Sequence, residues 1–264
     1  MGRGIAPAQL TAPALLARVA PLFPPLGEQG SPLNQQTLSM RLERVAAHVP
    51  VGARLADIGS DHAYLLVALM RRGLITAAVA GEVARTPFHA AQRTINDNDL
   101  HGQISVRLAD GLAAIRPDDG ISAITLCGMG GETIRDIFES GKAHLSGHER
   151  LILQPNGGEQ ALRQWLMDNG YRIVCEEVLH ENRFDYEIIV AERGSDPVTY
   201  DARELFFGPL HLQARCPAFL HKWQRRLKQR QKTLGQFTRA QQTLPEDKIL
   251  ALKQEMQWIS ELLG

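Results

Sequence analysis

LADIGSDHAYL, residues Leu55–Leu65, contains a strand, a polar turn and the opening of a helix in eleven positions. Arg54–Ile58 is a short apolar run of the kind that fills a buried strand. It stops at Asp57-Ile58-Gly59-Ser60, and Tyr64–Arg72 then has helical composition closed by Gly73. A strand that turns at once into a helix is the first half of a βαβ unit, so a parallel sheet is expected.

Working outward, the same unit recurs. Upstream, Leu38, Leu42, Val45, Ala46 and Val49 fall at helical spacing, and Pro50-Val51-Gly52 stops the run. Downstream, strand Ile75–Ala80 ends at Glu82 and helix Pro87–Asn98 follows. Strand Ile104–Leu108 ends at Asp110-Gly111. Strand Ile121–Leu126 ends at Gly128-Met129-Gly130-Gly131, before helix Glu132–Glu139. Strand Arg150–Leu153 ends at Gln154-Pro155-Asn156, before helix Glu159–Asn169 and its stop at Gly170. Arg172–Leu179 and Tyr186–Glu192 are then two strands with no helix between them. The pattern predicts an α/β, Rossmann-like, mainly parallel sheet with one antiparallel strand near an edge. That order fits the methyltransferase variant of the doubly wound fold better than the dehydrogenase variant.

The ends of the chain differ from this middle. Residues 1–33 are rich in Ala and Pro, and Pro21, Pro24, Pro25 and Pro32 break any helix, so a flexible N-terminal extension is expected, with Met40 as an alternative initiator. Beyond Gly208, an apolar stripe from Leu210 through Trp223 to Phe237 recurs at three- and four-residue steps. Pro245 separates it from a second striped helix, Glu246–Leu263. Two helices joined by a short turn predict an antiparallel, coiled-coil-like pair. The expected division is 1–33 extension, 34–202 sheet domain and 203–264 helical domain.

Charge follows the division. The chain is formally neutral. Residues 34–202 carry 16 Lys/Arg against 23 Asp/Glu, a net of −7, whereas residues 203–264 carry 11 against 5, a net of +6. No acid lies between Leu205 and Pro245. Such segregation points to a polyanionic partner for the second module; the alternative is a solvated basic helix face. The remaining composition excludes several classes. No apolar run approaches the roughly 18–20 residues of a membrane span. Cys127, Cys175 and Cys216 are far apart, with no CxxC pair, and the nine histidines lack ligand spacing, so no metal site is expected. Separated, unpaired cysteines also suit a reduced, cytoplasmic compartment.

In doubly wound sheets, ligands bind beyond the C-terminal strand ends. Polar or glycine clusters stand at four successive such ends: Asp57–His62, Glu82, Asp110-Gly111 and Gly128–Gly131. They suit an adenosyl cofactor. Gly59 allows close backbone approach. Glu82 is placed to accept both ribose hydroxyls, Asp110 to accept the adenine amino group, and Asp57 to orient a methionine ammonium through the loop or water. An acid-rich edge also suits a sulfonium. A single strand-end acid is as readily a cap or turn former, but four in succession are harder to explain that way. A pyrophosphate-bearing dinucleotide is disfavoured, because the first turn, Gly59-Ser60-Asp61-His62, lacks a second glycine and carries an acid.

These motifs, LADIGSDHAYL with GEV (Gly81–Val83), LADGL (Leu108–Leu112), GMGGE (Gly128–Glu132), LQPN (Leu153–Asn156) and FDYEII (Phe184–Ile189), resemble the tRNA (adenine(22)-N1)-methyltransferase family. The resemblance runs from about Met40 to the C-terminus. It departs at Leu66, where the family has proline, and residues 1–38 have no counterpart in it. It implies S-adenosylmethionine as donor, N1 of a D-arm adenine in tRNA as acceptor, and a C-terminal coiled-coil domain. It places the cofactor among Asp57, Gly59, Ser60, His62, Glu82, Val83, Asp110, Gly111, Gly128, Met129 and Gly130. Asp61 is then the acid nearest the reacting centre. Tyr64 either stacks on the target base or fills its helix face, Asn156 either contacts that base or caps the next helix, and His62 either meets the cofactor carboxylate or fills the loop. Arg215, Lys222, Arg225, Arg226, Lys228, Arg230 and Lys232 become candidate tRNA phosphate contacts, in a protein expected to act as a monomer. The competing readings are a methyltransferase for another RNA, a protein or a small molecule, and a tRNA-binding protein without catalysis.

Overall fold

The structure is a computed structural model that describes residues 37–239 and 246–264, with side chains over 37–235 and 248–264. The N-terminal extension 1–33 and the turn at Pro245 lie outside the described residues.

Ser39 opens the first helix, α1 (Met40–Ala47), its hydroxyl accepting from the Leu42 N–H. Five strands and four helices then alternate, with one helix absent: β1 (Ala53–Ile58), α2 (Tyr64–Arg71), β2 (Ile75–Glu82), α3 (Arg85–Asn96), β3 (Ile104–Leu108), β4 (Ala123–Met129), α4 (Gly131–Ser140), β5 (Arg150–Pro155) and α5 (Glu159–Asp168). Where a helix is missing, between β3 and β4, two short 3-10 turns make the connection. A long hairpin, β6 (Tyr171–Glu181) and β7 (Phe184–Arg193), completes a seven-stranded sheet of order β3-β2-β1-β4-β5-β7-β6. β1 to β5 are parallel, while β7 runs antiparallel to both β5 and β6. The expected antiparallel strand is therefore β7, inserted between β5 and β6.

Alternation along each strand feeds two cores. Leu55 and Ala80 point to the face covered by α1, α2 and α3, with Val45, Leu66, Leu69 and Ile95. Ala56 and Val79 point to the opposite face, with Ile134 and Phe138 of α4 and Leu162 and Leu166 of α5. Each fully buried leucine contributes about 1.5–3 kcal/mol relative to leaving it in water. The inner parallel strands β1, β2, β4 and β5 are largely buried on both faces, which is why they read as apolar runs, whereas edge strand β3 is half-exposed.

Past the sheet, the single apolar stripe predicted from Leu210 is divided. α6 (Ala202–Phe207) and α7 (Pro209–Ala214) meet at Gly208, and Arg215 at φ 44° turns the chain before Pro217 starts α8 (Pro217–Arg239). The last helix is α9 (Glu246–Leu263). Phe206, Phe207, Phe219 and Trp223 pack with Ile259 and Leu262 of α9 in a third, aromatic core. Among the described residues no helix is long and apolar enough to cross a membrane.

Candidate active site

The order β3-β2-β1-β4 brings the four predicted clusters onto one continuous edge. Register makes the neighbours explicit: Ile58 lies beside Gly81 and Leu126, and Glu82 beside Leu108. Asp57 is buried there. Its carboxylate accepts from the Ser60 hydroxyl at 2.7 Å and the Thr125 hydroxyl at 2.6 Å. Burial raises its pKa against the pull of these two bonds and of Arg41. Asp57 thus acts on the turn that follows it. Glu82 is also buried, and one of its oxygens accepts from the Asp61 N–H. Burial, with Asp57 and Asp61 nearby, raises its pKa as well. Two carboxyls pushed toward neutrality side by side favour a cationic ligand, which would lower both again.

The turn between them is tightly wound. Gly59, Asp61 and Ala63 have φ of 75°, 56° and 57°. A side chain on Gly59 would meet the methyl of Met129 from the turn after β4. Asp61 and His62 project outward, with His62 Nε2 at 3.8 Å from Asp61 Oδ1. The His62 ring stacks on Tyr64 at 5.1 Å. Tyr64 is half-buried at the first position of α2, with one face occupied by that imidazole. Val83 and Asp110 are exposed at the ends of β2 and β3, and Asp110 caps no backbone N–H of the 3-10 turn that Gly111 opens.

The turn after β4 is tied to the turn after β5. Asn156 donates from its amide to the Gly128 carbonyl at 2.8 Å and accepts from Gln154 at 3.0 Å. Its backbone N–H reaches the Met129 carbonyl at 2.8 Å. Of the two roles expected for Asn156, contact with the base or a cap on α5, the cap is corrected: Gly158 holds that position, and the Asn156 side chain is committed to Gly128. The Gly131 N–H donates to Gly157 at 2.7 Å, and a Cβ on Gly131 would overlap the Gly158 carbonyl. Gly130-Gly131 therefore lets two backbones touch.

One residue here escaped sequence reading. Arg41, on α1, donates to Gln154 Oε1, which also accepts from the Gly128 N–H at 3.1 Å. Its guanidinium lies 5.5 Å from the centre of the Tyr186 ring, and Glu181 at the hairpin end holds its backbone N–H. No local motif marks Arg41, because its partners lie more than a hundred positions away. The same holds for His48, Cys175 and Glu177, whose ligand atoms come within 4.8 Å of one another although their spacing suggested no metal site. The Arg44 guanidinium occupies that carboxylate, with Nε to Oε2 at 2.7 Å.

The basic residues of α8, with Arg215 just before it, divide into two groups. Lys222 is corrected: it is buried against Glu187 and, at 3.1 Å, Glu159, so it is not open to a phosphate. Glu187 in turn binds Arg163, which also reaches Glu176 at 2.7 Å. Burial opposes ionisation of Glu187, but Lys222 and Arg163 outweigh it and hold the carboxyl far below its ordinary range. Arg225 pairs with Asp185 at 2.9 Å, Arg230 with Glu255 at 2.8 Å, and Arg215 with the Leu262 carbonyl. Lys228 and Lys232 are exposed and Arg226 half-exposed.

A sheet of this order, with acids and glycines on the β1–β4 edge, is the architecture of a class I methyltransferase. Residues 55–261 match the profile of the family described as tRNA (adenine(22)-N(1))-methyltransferase, and the chain belongs to that family. The tRNA (adenine(22)-N(1))-methyltransferase of Bacillus subtilis is 38% identical over 236 residues, which span 88% of this chain and 99% of the relative. The crystal structure of the B. subtilis M1A22 tRNA methyltransferase aligns with a TM-score of 0.79 at 37% identity, over 87% of this chain and 100% of that one. A Streptococcus pneumoniae protein crystallised in complex with S-adenosyl-L-methionine aligns with a TM-score of 0.78 at 41% identity, over 86% and 100%.

Proposed function

We propose that this protein transfers a methyl group from S-adenosylmethionine to N1 of adenine 22 in tRNA. The observation that carries the reading is the unbroken edge of Asp57, Glu82, Asp110 and Gly128, found in a chain of this family.

When bound, S-adenosylmethionine supplies an electrophilic methyl group on a positively charged sulfur. The residues present fit it. Gly128 leaves its backbone open, with the Arg41 guanidinium at 3.7 Å from where a Cβ would stand, Gly59 lets the turns after β1 and β4 close on each other, and the buried Glu82, which holds the Asp61 N–H, is placed for the ribose hydroxyls. Asp110, exposed and uncommitted to a cap, is placed for the adenine amino group, with Val83 and Gly111 beside it. Asp57 positions rather than binds: through Ser60 it sets the turn that faces the methionine end. His62, Met129 and Gly130 complete the wall.

The acceptor needs little chemical activation, since the N1 lone pair of adenine is free at neutral pH. Catalysis rests on placing N1 in line with the methyl. Asn156 fixes the Gly128 carbonyl, and that carbonyl with its neighbours is suited to accept from the adenine amino group. Asp61 stands closest to the acceptor side, and Tyr64, backed by His62, offers a face for the target base. The expected division into 34–202 and a basic helical module 203–264 of coiled-coil type is supported by the α8–α9 aromatic core and by the exposed Lys228 and Lys232, which would follow the tRNA backbone. The reading places a monomeric enzyme in the cytoplasm, where tRNA is.

The test is direct. Unmodified tRNA transcripts are incubated with the protein and labelled donor, and the modified nucleoside is mapped. N1-methyladenosine at position 22, absent when that adenine is replaced by guanine, is expected. Label elsewhere, or none, would reject the assignment.

A further inference from the structure

The β6–β7 hairpin turns on two residues, Asn182 and Arg183, between the paired Glu181 and Phe184. Both turn residues are left-handed, at φ 49° and 72°. A two-residue turn of this form takes Asn-Gly by preference. Arginine at the glycine position costs backbone strain, and its exposed side chain has no hydrogen bond or ion pair among the described residues to offset it. Phe184 beside it is 64% exposed, the one aromatic ring among the described side chains that faces mostly water. The tip therefore displays a cation and a ring that the fold leaves open to solvent. Such a pair is how proteins hold a nucleotide whose base has left its stack.

The surroundings give the tip a direction. β7 is antiparallel to β5, with Leu153 against Ile189, so the tip runs past Pro155 on the edge that carries the Gly128 turn. A row of rings and cations leads back to that turn. Phe184 lies 6.3 Å from Tyr186, Tyr186 lies 5.5 Å from the Arg41 guanidinium, and Arg41 bonds Gln154, which holds the Gly128 N–H. On the other side, Asp185 pairs with Arg225 of the basic helix α8 at 2.9 Å and with His180 at 2.8 Å. Glu181 is occupied by the Met40 and Arg41 N–H groups that open α1. Both acids near the tip are thus already matched, and what faces outward is aromatic and cationic, continuous with α8 and with the cofactor edge. We propose that the hairpin tip is a stacking platform for the substrate RNA: Phe184 takes the face of a base within about three nucleotides of the methylated adenine, and Arg183 takes a phosphate beside it. This rests on the tRNA methyltransferase reading above.

The probe is an unmodified tRNA transcript, with Kd read by filter binding over a range of salt, beside transcripts made abasic at each of the three positions on either side of adenine 22. Phe184→Ala is expected to raise Kd about ten-fold with an unchanged salt slope, and Phe184→Tyr to restore it. On the abasic transcript that lacks the stacked base, the unaltered protein and Phe184→Ala should bind alike. Arg183→Gly relaxes the turn, so its melting temperature should hold or rise while Kd rises several-fold and the slope of log K against log salt flattens by about one. All three variants should bind S-adenosylmethionine as the unaltered protein does. Should Phe184→Ala melt early, Arg183→Gly alone decides. If the unaltered protein methylates tRNA while Phe184→Ala binds within two-fold of it, or keeps its full penalty on every abasic transcript, or Arg183→Gly keeps both Kd and slope, the platform is wrong and the function stands. Normal tRNA binding by Phe184→Ala with loss of self-association in sedimentation would make the tip a contact between copies of this chain, and overturns the platform too. If the unaltered protein binds no S-adenosylmethionine or leaves tRNA unmethylated, the functional reading falls and takes the platform with it.

Discussion

A Cβ built on Gly59 would stand 2.8 Å from the Met129 methyl carbon, so the turns after β1 and β4 touch at the sheet edge. Gly59 also sits at φ 75°, where a side chain is strained. Gly59→Ala is therefore expected to lose about 1 kcal/mol of stability and to weaken S-adenosylmethionine binding at least about ten-fold. Titration calorimetry reads the second effect. Adding Met129→Ala removes the steric part only, so the double variant should recover some affinity. Wild-type affinity in the single variant would mean that the two turns open freely.

Glu82→Gln separates binding from folding. The amide oxygen still accepts the Asp61 N–H, and the burden of a buried charge disappears. One good acceptor for the ribose is lost, at about 1–3 kcal/mol, or roughly ten- to hundred-fold in Kd. Melting temperature is expected to hold or rise while cofactor affinity falls. An unchanged Kd would place the ribose elsewhere.

The buried charges under α8 give a stability prediction. Glu187→Gln leaves Arg163 and Lys222, both fully enclosed, short of their shared counter-ion. Removing one member of a buried ion cluster costs about 3–5 kcal/mol. Urea denaturation should show that loss with an unchanged m-value. A loss below about 1 kcal/mol would mean that water enters the cluster freely.

Acid sensitivity should trace in part to Glu177. Burial disfavours its charged form, but the His48 and Arg44 hydrogen bonds win and hold its pKa at about 2. In the unfolded chain a glutamate titrates near about 4.3. As pH falls, the unfolded chain takes up this proton first. The contribution is therefore complete above about 4.3 and drains away toward about 2. The stability difference between wild type and Glu177→Gln, followed by chemical denaturation, is expected to be constant near neutrality and to shrink between pH of about 4 and 3. A constant gap throughout would show that Glu177 carries no such shift.

Much of the sheet could be read before any coordinates, because each parallel strand is a short apolar run ending abruptly in a polar turn. Boundaries slipped where context overrides local pattern. The helix expected at Pro87 starts at Arg85, since proline is tolerated in a first turn. β6 and β7 extend through polar residues to Glu181 and Phe184, because their cross-strand ladder sustains them. The periodic stripe from Leu210 conceals a break between α7 and α8, since apolar spacing runs on across Arg215 and Pro217 although the helical backbone does not. The strand-end acids were legible from position alone. The commitments of Asn156 to Gly128, Arg41 to Gln154 and Lys222 to Glu187 were not, as each joins elements distant in the chain.

The contact between Gly131 and Gly158 has a consequence for how acceptor choice can change. Main chain meets main chain there, with no side chain to trim or enlarge. The gap between the donor half and the acceptor half of the centre is thereby a fixed gauge. On the proposed reading, variation in which nucleotide is presented is expected to come from the periphery, from the hairpin tip and the long helices, while the gauge itself stays constant.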